Sequence, residues 1–308
     1  MVDPALVERV QTALLDWYAS YGRDLPWRRT RDPYAVLVAE VMLQQTQVER
    51  VVPKWQAWLE RFPSFSALAA ATRADAVRAW QGLGYNLRAV RLHHIAQQVS
   101  ILHGGHLPRS LDGLLGLKGV GRYTAGAVAC FAFEQPVAMV DTNVRRVLGR
   151  VFLGGVPASR ERLSRLAEEV LPLRAAYAWN QALMDLGATV CRAGRPACLL
   201  CPLRELCVAL SEAGRQPGSG RRVAEPPALY AARERRGAEQ RARRGRVVDA
   251  LRDLPYGVSI ELADLAGRLQ PPESETTLAQ LVDRLVADGL VAREQRQPGA
   301  GVRLRLAD

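Results

Sequence analysis

The sequence predicts a mainly α-helical protein in two parts, a large helical region followed by a small C-terminal module. Three observations carry that expectation. Apolar residues recur at helical spacing through residues 1–213, alternating strand-like patterns are scarce there, and a stretch rich in Pro, Gly and Arg separates this region from a last short run of periodic patterning. At 308 residues, 48% hydrophobic and 24% charged, the chain has material for a sizeable core and for about two domains. These figures exclude a wholly disordered chain, a disulfide-stapled miniprotein and a collagen-like rod.

The elements follow in order. From Pro33 to Leu59, residues such as Tyr34, Leu37, Val41, Val48, Val52 and Trp55 fall at helical spacing. Asp32 before Pro33 supplies an N-cap acceptor and a first-turn proline. A second stripe, Val144, Val147, Leu148, Val151 and Phe152, follows Thr142. Residues 214–227 have linker composition, and Arg221 to Arg246 carries nine arginines against three glutamates. That run reads either as a solvated helix face or as an arm contacting phosphates. Beyond it, Val247–Leu251, Ile260–Leu269 and Thr277–Leu290 read as three short helices, and the alternation around Pro298–Gly301 reads as a hairpin. The expected organisation is therefore a helical domain over 1–213, a basic arm over 214–246 and a winged-helix-like module over 247–308.

Composition narrows the partners. Lys and Arg total 42 against 31 Asp and Glu, a net charge of +11, and the pI is near 10.0. Such an excess points to a polyanion, with nucleic acid favoured over an anionic membrane. No run approaches the ~18 apolar residues a membrane span needs. Asp3 stands where a signal peptide carries basic residues, so the cytoplasm is the expected compartment. No membrane partner is expected.

Four of the five cysteines, Cys191, Cys198, Cys201 and Cys207, cluster as C-x6-C-x2-C-x5-C, while Cys130 stands in an apolar segment and reads as a core residue. In a cytoplasmic protein such a cluster favours a metal centre over disulfides. Spacing alone leaves tetrahedral zinc and an iron–sulfur cluster both open.

In LKGVGRYTAG, Gly119 and Gly121 flank Val120 just before a helix starting near Tyr123. Two glycines so placed permit a tight turn that exposes backbone N–H groups to a phosphate without reading sequence. Asp141 follows about 20 residues on, at the start of the helix of Val144–Phe152. Its local role is an N-cap. At these residues the chain resembles the helix-hairpin-helix DNA glycosylases, and the cysteine loop resembles that of the endonuclease III and MutY branch. DLPWRRTRDPYAVLVAEVMLQQTQVERV (24–51) and WQGLGYNLRAVRL (80–92) resemble the MutY-type adenine DNA glycosylases. Glu40, Gln44 and Gln47 are expected on one helix face.

The resemblance spans residues 8–210. It implies a [4Fe–4S] cluster on the four cysteines and monofunctional removal of adenine mispaired with 8-oxoguanine or guanine in double-stranded DNA. A monomer is expected. Glu40 is the implied general acid, Asp141 the stabiliser of the sugar cation, and Tyr123 and Asn143 their supports. Trp27, Arg28 and Leu43 are implied at the adenine. Gln45, Thr46, Tyr85 and Arg88 are implied at the duplex, with Gly119, Val120 and Gly121 at a phosphate. Tyr123 stands where bifunctional relatives carry a Schiff-base lysine, which argues against an endonuclease III-like lyase. A non-catalytic iron–sulfur DNA-binding protein would leave the joint placement of Glu40 and Asp141 unexplained. Asn86 stands where many members have a second tyrosine, and the chain ends in the short module rather than in the Nudix-like domain many members carry.

Overall fold

The computed structural model describes residues 2–215, 228–294 and 301–308. The connector over 216–227 and residues 295–300, which hold all but the last residue of the expected Pro298–Gly301 turn, lie outside them. The helices are α1 (Pro4–Tyr21), α2 (Pro33–Leu43), α3 (Val48–Arg61), α4 (Phe65–Ala70), α5 (Arg73–Ala79), α6 (Leu87–His103), α7 (Leu111–Gly116) and α8 (Arg122–Phe131). They continue as α9 (Thr142–Leu153), α10 (Arg160–Glu169), α11 (Ala176–Thr189), α12 (Val208–Arg215) and α13 (Ala228–Arg252). Strand β1 (Ile260–Glu261), α14 (Leu262–Arg268), α15 (Glu275–Ala287), β2 (Val291–Glu294) and β3 (Arg303–Leu306) complete the chain. Among the described residues no helix is long and apolar enough to cross a membrane.

These elements form two units. The first comprises residues 1–40, 108–116 and 120–224. Here α11 packs on α1 and α9, closing a core that includes Leu14, Leu148, Trp179 and Leu183. Cys130 is buried in it, as expected, with the Asn180 amide 3.4 Å from its sulfur. Helix α2 starts as its sequence predicts: Asp32 accepts from the amides of Tyr34 and Ala35 at 3.1 and 3.3 Å, with Pro33 in the first turn. From Tyr34 to Met42 every residue of α2 is buried, the pattern of a helix enclosed on all sides. Glu40 is its only charged residue.

The second unit comprises residues 41–107, 117–119 and 225–308. Helices α4 and α5 pack on α6, and Trp58 meets Phe62 and Trp80 edge-on at 4.9 and 5.4 Å. The expectation that Glu40, Gln44 and Gln47 share a helix face is corrected. Helix α2 ends at Leu43, Gln45 takes a left-handed φ of 57°, and α3 begins at Val48. The cause is tertiary and lies in Arg88, described below. The C-terminal helices and strands appear where the patterning places them, with two differences. Ile260 and Glu261, expected to open the second short helix, form strand β1 instead, and α14 begins at Leu262. Helix α13 starts at Ala228 and runs unbroken to Arg252, so residues 228–246 of the expected arm and the module's first helix are one element. The sheet order β1-β3-β2 is antiparallel, with Val291 opposite Leu306 and Ile260 opposite Leu304. One helix, a strand, two helices and two strands with β3 central make the winged-helix arrangement.

Candidate active site

Glu40 is a carboxyl in the interior of an apolar helix, 7% exposed. Burial pushes it up to about 7 against a lowering hydrogen bond from Tyr123; the charge of Asp141 adds to the rise and Arg28 opposes it. Tyr123, half-buried in the first turn of α8, is itself held well above its ordinary value by burial and by the two carboxylates. Its hydroxyl also lies 3.5 Å from the Met184 sulfur. Glu40, Tyr123 and Asp141 are thus brought together as the sequence analysis expects.

Asp141 caps α9. Its Oδ1 accepts from the Val144 amide at 2.7 Å and its Oδ2 from the Asn143 amide group at 3.2 Å. One residue missed by the sequence reading completes this corner. Arg146 donates to Asn143 Oδ1, to the Gly187 carbonyl and to the Cys191 carbonyl, each at 2.7 Å. Glycine at 187 is what lets α9 and α11 approach this closely, because a Cβ there would lie 2.6 Å from that of Asn143. A continuous chain of hydrogen bonds therefore runs from the Asp141 carboxylate to the backbone of the first clustered cysteine.

A second missed residue is Asp185, fully buried on α11. Its two oxygens accept from both terminal nitrogens of Arg28 at 2.8 Å and from Arg23 Nε at 2.7 Å. Burial alone would raise this carboxyl, but Arg28 and Arg23 outweigh it and hold it below the usual carboxylate range. Arg28 is therefore fixed in place, its fork matched to a carboxylate, and Trp27 beside it in sequence is buried. The available signal for Asp185 was the same as for Glu40: one acid inside an apolar helical run, here LMDLG.

The glycine turn is held on α6. Gln98 receives a hydrogen bond from the Lys118 amide and donates to its carbonyl, both at 3.0 Å. Gly119 has φ +107°, and a Cβ there would strike Arg91 at 2.7 Å, so only glycine fits. Val120 is buried, and Gly121 opens α8 with no side-chain cap, leaving that helix start to an anion.

Two loops of the second unit carry the residues expected at the duplex. Gln45 and Tyr85 are exposed, and both are left-handed. Thr46 and Leu43 are half-buried. Arg88, expected at the duplex, is instead turned inward. It is buried and donates to the carbonyls of Val41, Met42, Gln44, Leu83 and Gly84 and to Thr46 Oγ1. The guanidinium takes the place of the helical bonds lost at the end of α2 and ties the two loops together.

Cys191, Cys198, Cys201 and Cys207 are unpaired and line one cavity of about 280 Å³. Arg150 donates to the Cys191 sulfur at 3.3 Å and to the carbonyls of Arg192 and Ala193. Among the described residues, no three His, Cys, Asp or Glu side chains are placed to hold one metal ion. Arg192, Arg195 and Arg204 are exposed on the same loop.

Residues 38–173, which include Glu40, Tyr123 and Asp141, match the family described as HhH-GPD superfamily base excision DNA repair protein. An adenine DNA glycosylase of Mycolicibacterium smegmatis is 43% identical over 90% of this chain and 91% of its own length. The chain belongs to the adenine DNA glycosylase family. A second relative of that name, from Mycobacterium tuberculosis, is 42% identical over 92% of this chain and 90% of its own length. A solved thermostable thymine-DNA glycosylase superposes with a TM-score of 0.64 at 31% identity, covering 68% of this chain and 98% of that one. The protein is a DNA glycosylase of base excision repair. Its superfamily commonly binds an iron–sulfur cluster.

Proposed function

We propose that the protein is a monofunctional adenine DNA glycosylase, acting as a cytoplasmic monomer on duplex DNA and removing adenine mispaired with 8-oxoguanine or guanine. One observation carries this reading: a buried carboxyl raised to about 7, hydrogen-bonded to Tyr123 and electrostatically coupled to Asp141. Adenine leaves poorly until a ring nitrogen is protonated, and the base must first be turned out of the stack. Glu40 at about 7 keeps a proton to give near neutrality. As the C1′–N9 bond breaks, its electron pair goes to the protonated base and positive charge grows on the sugar. Asp141, fixed by its cap and by Asn143, lies at hand to stabilise that cation. Water then adds at C1′ and loses its proton to the Glu40 carboxylate.

Incubation with duplexes carrying A:8-oxoguanine, A:G, T:G and oxidised pyrimidines tests the reading. Adenine release from the first two supports it, and release from the others alone overturns it. The products are expected to be intact abasic sites, cleaved only on heating with alkali. Borohydride should trap almost no covalent complex, because a tyrosine stands at the Schiff-base position. Efficient trapping would reopen the lyase reading.

The four cysteines fit a [4Fe–4S] cluster. None is in a disulfide, and all four line one cavity of about 280 Å³, which has room for a multi-atom group. When bound, the cluster would order the basic loop of Arg192, Arg195 and Arg204 for phosphate contact. Protein purified without oxygen is expected to be brown and to carry about four irons per chain. Stoichiometric zinc without sulfide would refute the assignment.

A further inference from the structure

The loop before α6 is held in an unfavourable shape. Gly82, Gly84 and Tyr85 all have positive φ, +87°, +70° and +46°, and a tyrosine persists there only where its surroundings over-determine it. Arg88 and Trp80 Nε1 bind the loop's carbonyls from within. The other hold comes from the C-terminal module. Arg252, at the end of α13, has a side chain only 4% exposed. Its Nε donates to the Val77 carbonyl at 3.0 Å, and a terminal nitrogen donates to Asn86 Oδ1 at 2.7 Å. Asn86 occupies the N-cap position of α6, yet its side chain makes no capping bond. The acceptor that ordinarily serves the helix start is given to Arg252 instead.

Neighbouring contacts repeat the arrangement. Arg78 donates to the Arg252 carbonyl and lies 4.6 Å over the Tyr256 ring, and Tyr256 donates to Asp75. Arg241 of α13 lies 5.7 Å over the exposed ring of Tyr85, and Arg88 lies 5.6 Å from the same ring, both within cation–π range. These loops and α13 line one cleft of about 960 Å³. Among the described residues, the helix of the module that would face a groove carries no excess of positive charge. Helix α15, the second helix of its helix-turn-helix pair and the one that ordinarily enters the groove, exposes Glu275 and Asp283 against Arg284. Arg243 and Arg246 are paired with Glu273, and Arg244 with Asp288, inside the module.

We propose that the C-terminal winged-helix module is a brace for the DNA-probing loop: Arg252 bonded to Asn86, with Arg241 over Tyr85, presets Tyr85 for insertion into the duplex. Asn86 and Arg252 are positioning residues and touch neither base nor sugar. The inference rests on the adenine glycosylase reading, so adenine release by the parent enzyme is measured first, and its failure would count against that reading alone.

The test uses full-length Asn86→Ala, Arg252→Lys and Asn86→Asp with duplexes carrying 2-aminopurine beside an A:8-oxoguanine pair. Fluorescence reports local unstacking, and single-turnover excision at saturating enzyme reports chemistry. Asn86→Ala and Arg252→Lys are expected to lower the affinity ratio of mispaired to matched duplex about tenfold and to weaken the fluorescence rise, for loss of a hydrogen bond to a charged group. Saturated excision should stay within about twofold, because Glu40 and Asp141 are untouched. Asn86→Asp keeps the acceptor and should restore parental behaviour. An unchanged affinity ratio and fluorescence in Asn86→Ala overturns the brace. So does a loss that Asn86→Asp fails to rescue, or one that follows only the fraction of folded protein.

Discussion

Glu40→Gln is expected to lower single-turnover adenine excision by at least ~100-fold while leaving binding to mispaired duplex within a few-fold, since removing a positioned general acid costs ~10²–10⁴ in rate. The substitution preserves shape and hydrogen-bonding capacity and removes only the proton. The parent's own pH profile should carry the same signature. The reactive form is protonated, so the excision rate should fall as pH rises through about 7, the value to which burial has pushed this carboxyl. Glu40→Gln should lack that limb. Parental activity in the variant, or a limb retained in it, would remove Glu40 from the chemistry.

The same shift makes a stability statement. The folded chain holds a proton on Glu40 that the unfolded chain releases at about 4.5. Stability therefore declines as pH rises between those values, and above pH 7 the accumulated penalty is on the order of 3 kcal/mol. Glutamine carries no such penalty. Glu40→Gln should melt above the parent at pH 8, with the difference shrinking as pH falls toward 4.5. An inactive protein that is more stable than its parent is what a functional buried acid predicts.

What was legible in the sequence divides along local and tertiary lines. The cap at Asp32, the stripe after Thr142 and the terminal hairpin rest on neighbours a few residues apart, and the chain folds as that spacing reads. The break at residues 44–47 was not legible. Gln-Gln-Thr-Gln contains no glycine or proline, and helix propensity alone would carry it through. The break is stabilised by Arg88, more than forty residues away, whose guanidinium accepts the burden of the exposed carbonyls. Arg88 itself read as a DNA contact through the resemblance of residues 80–92, a likeness that does not reveal which way a side chain turns. The pairing of Arg243, Arg244 and Arg246 of α13 was equally illegible, because their partners Glu273 and Asp288 lie 27 to 44 residues further along. At the site, Glu40, Asp141 and Tyr123 were legible through motif resemblance. Asp185 belongs to none of the motifs, and Arg146, although it lies in the stretch that carries Asp141, emerges only from what it bonds.

Asp141→Asn should abolish excision nearly as completely as Glu40→Gln, and it does so with the fold left in place. Asparagine caps a helix about as well as aspartate, so the bond from the Val144 amide can persist and α9 should start where it does now. The contact from the Asn143 amide group is lost when the asparagine oxygen serves the cap, because its own amide nitrogen then stands at the position of Oδ2 and cannot accept. Also lost is the negative charge beside the developing sugar cation, and removing one preorganised electrostatic partner costs ~10²–10³ in rate. Asp141→Ala provides the comparison. It loses the charge and the cap together, adding about 1 kcal/mol of destabilisation. If catalysis depends on charge, Asn and Ala should be equally inactive although only Ala melts early. If Asp141 acts only as a cap, Asn should retain parental activity. Excision rates and melting temperatures of the two variants, read side by side, distinguish these outcomes, because helix start and cation stabilisation are served by the same carboxylate but lost separately.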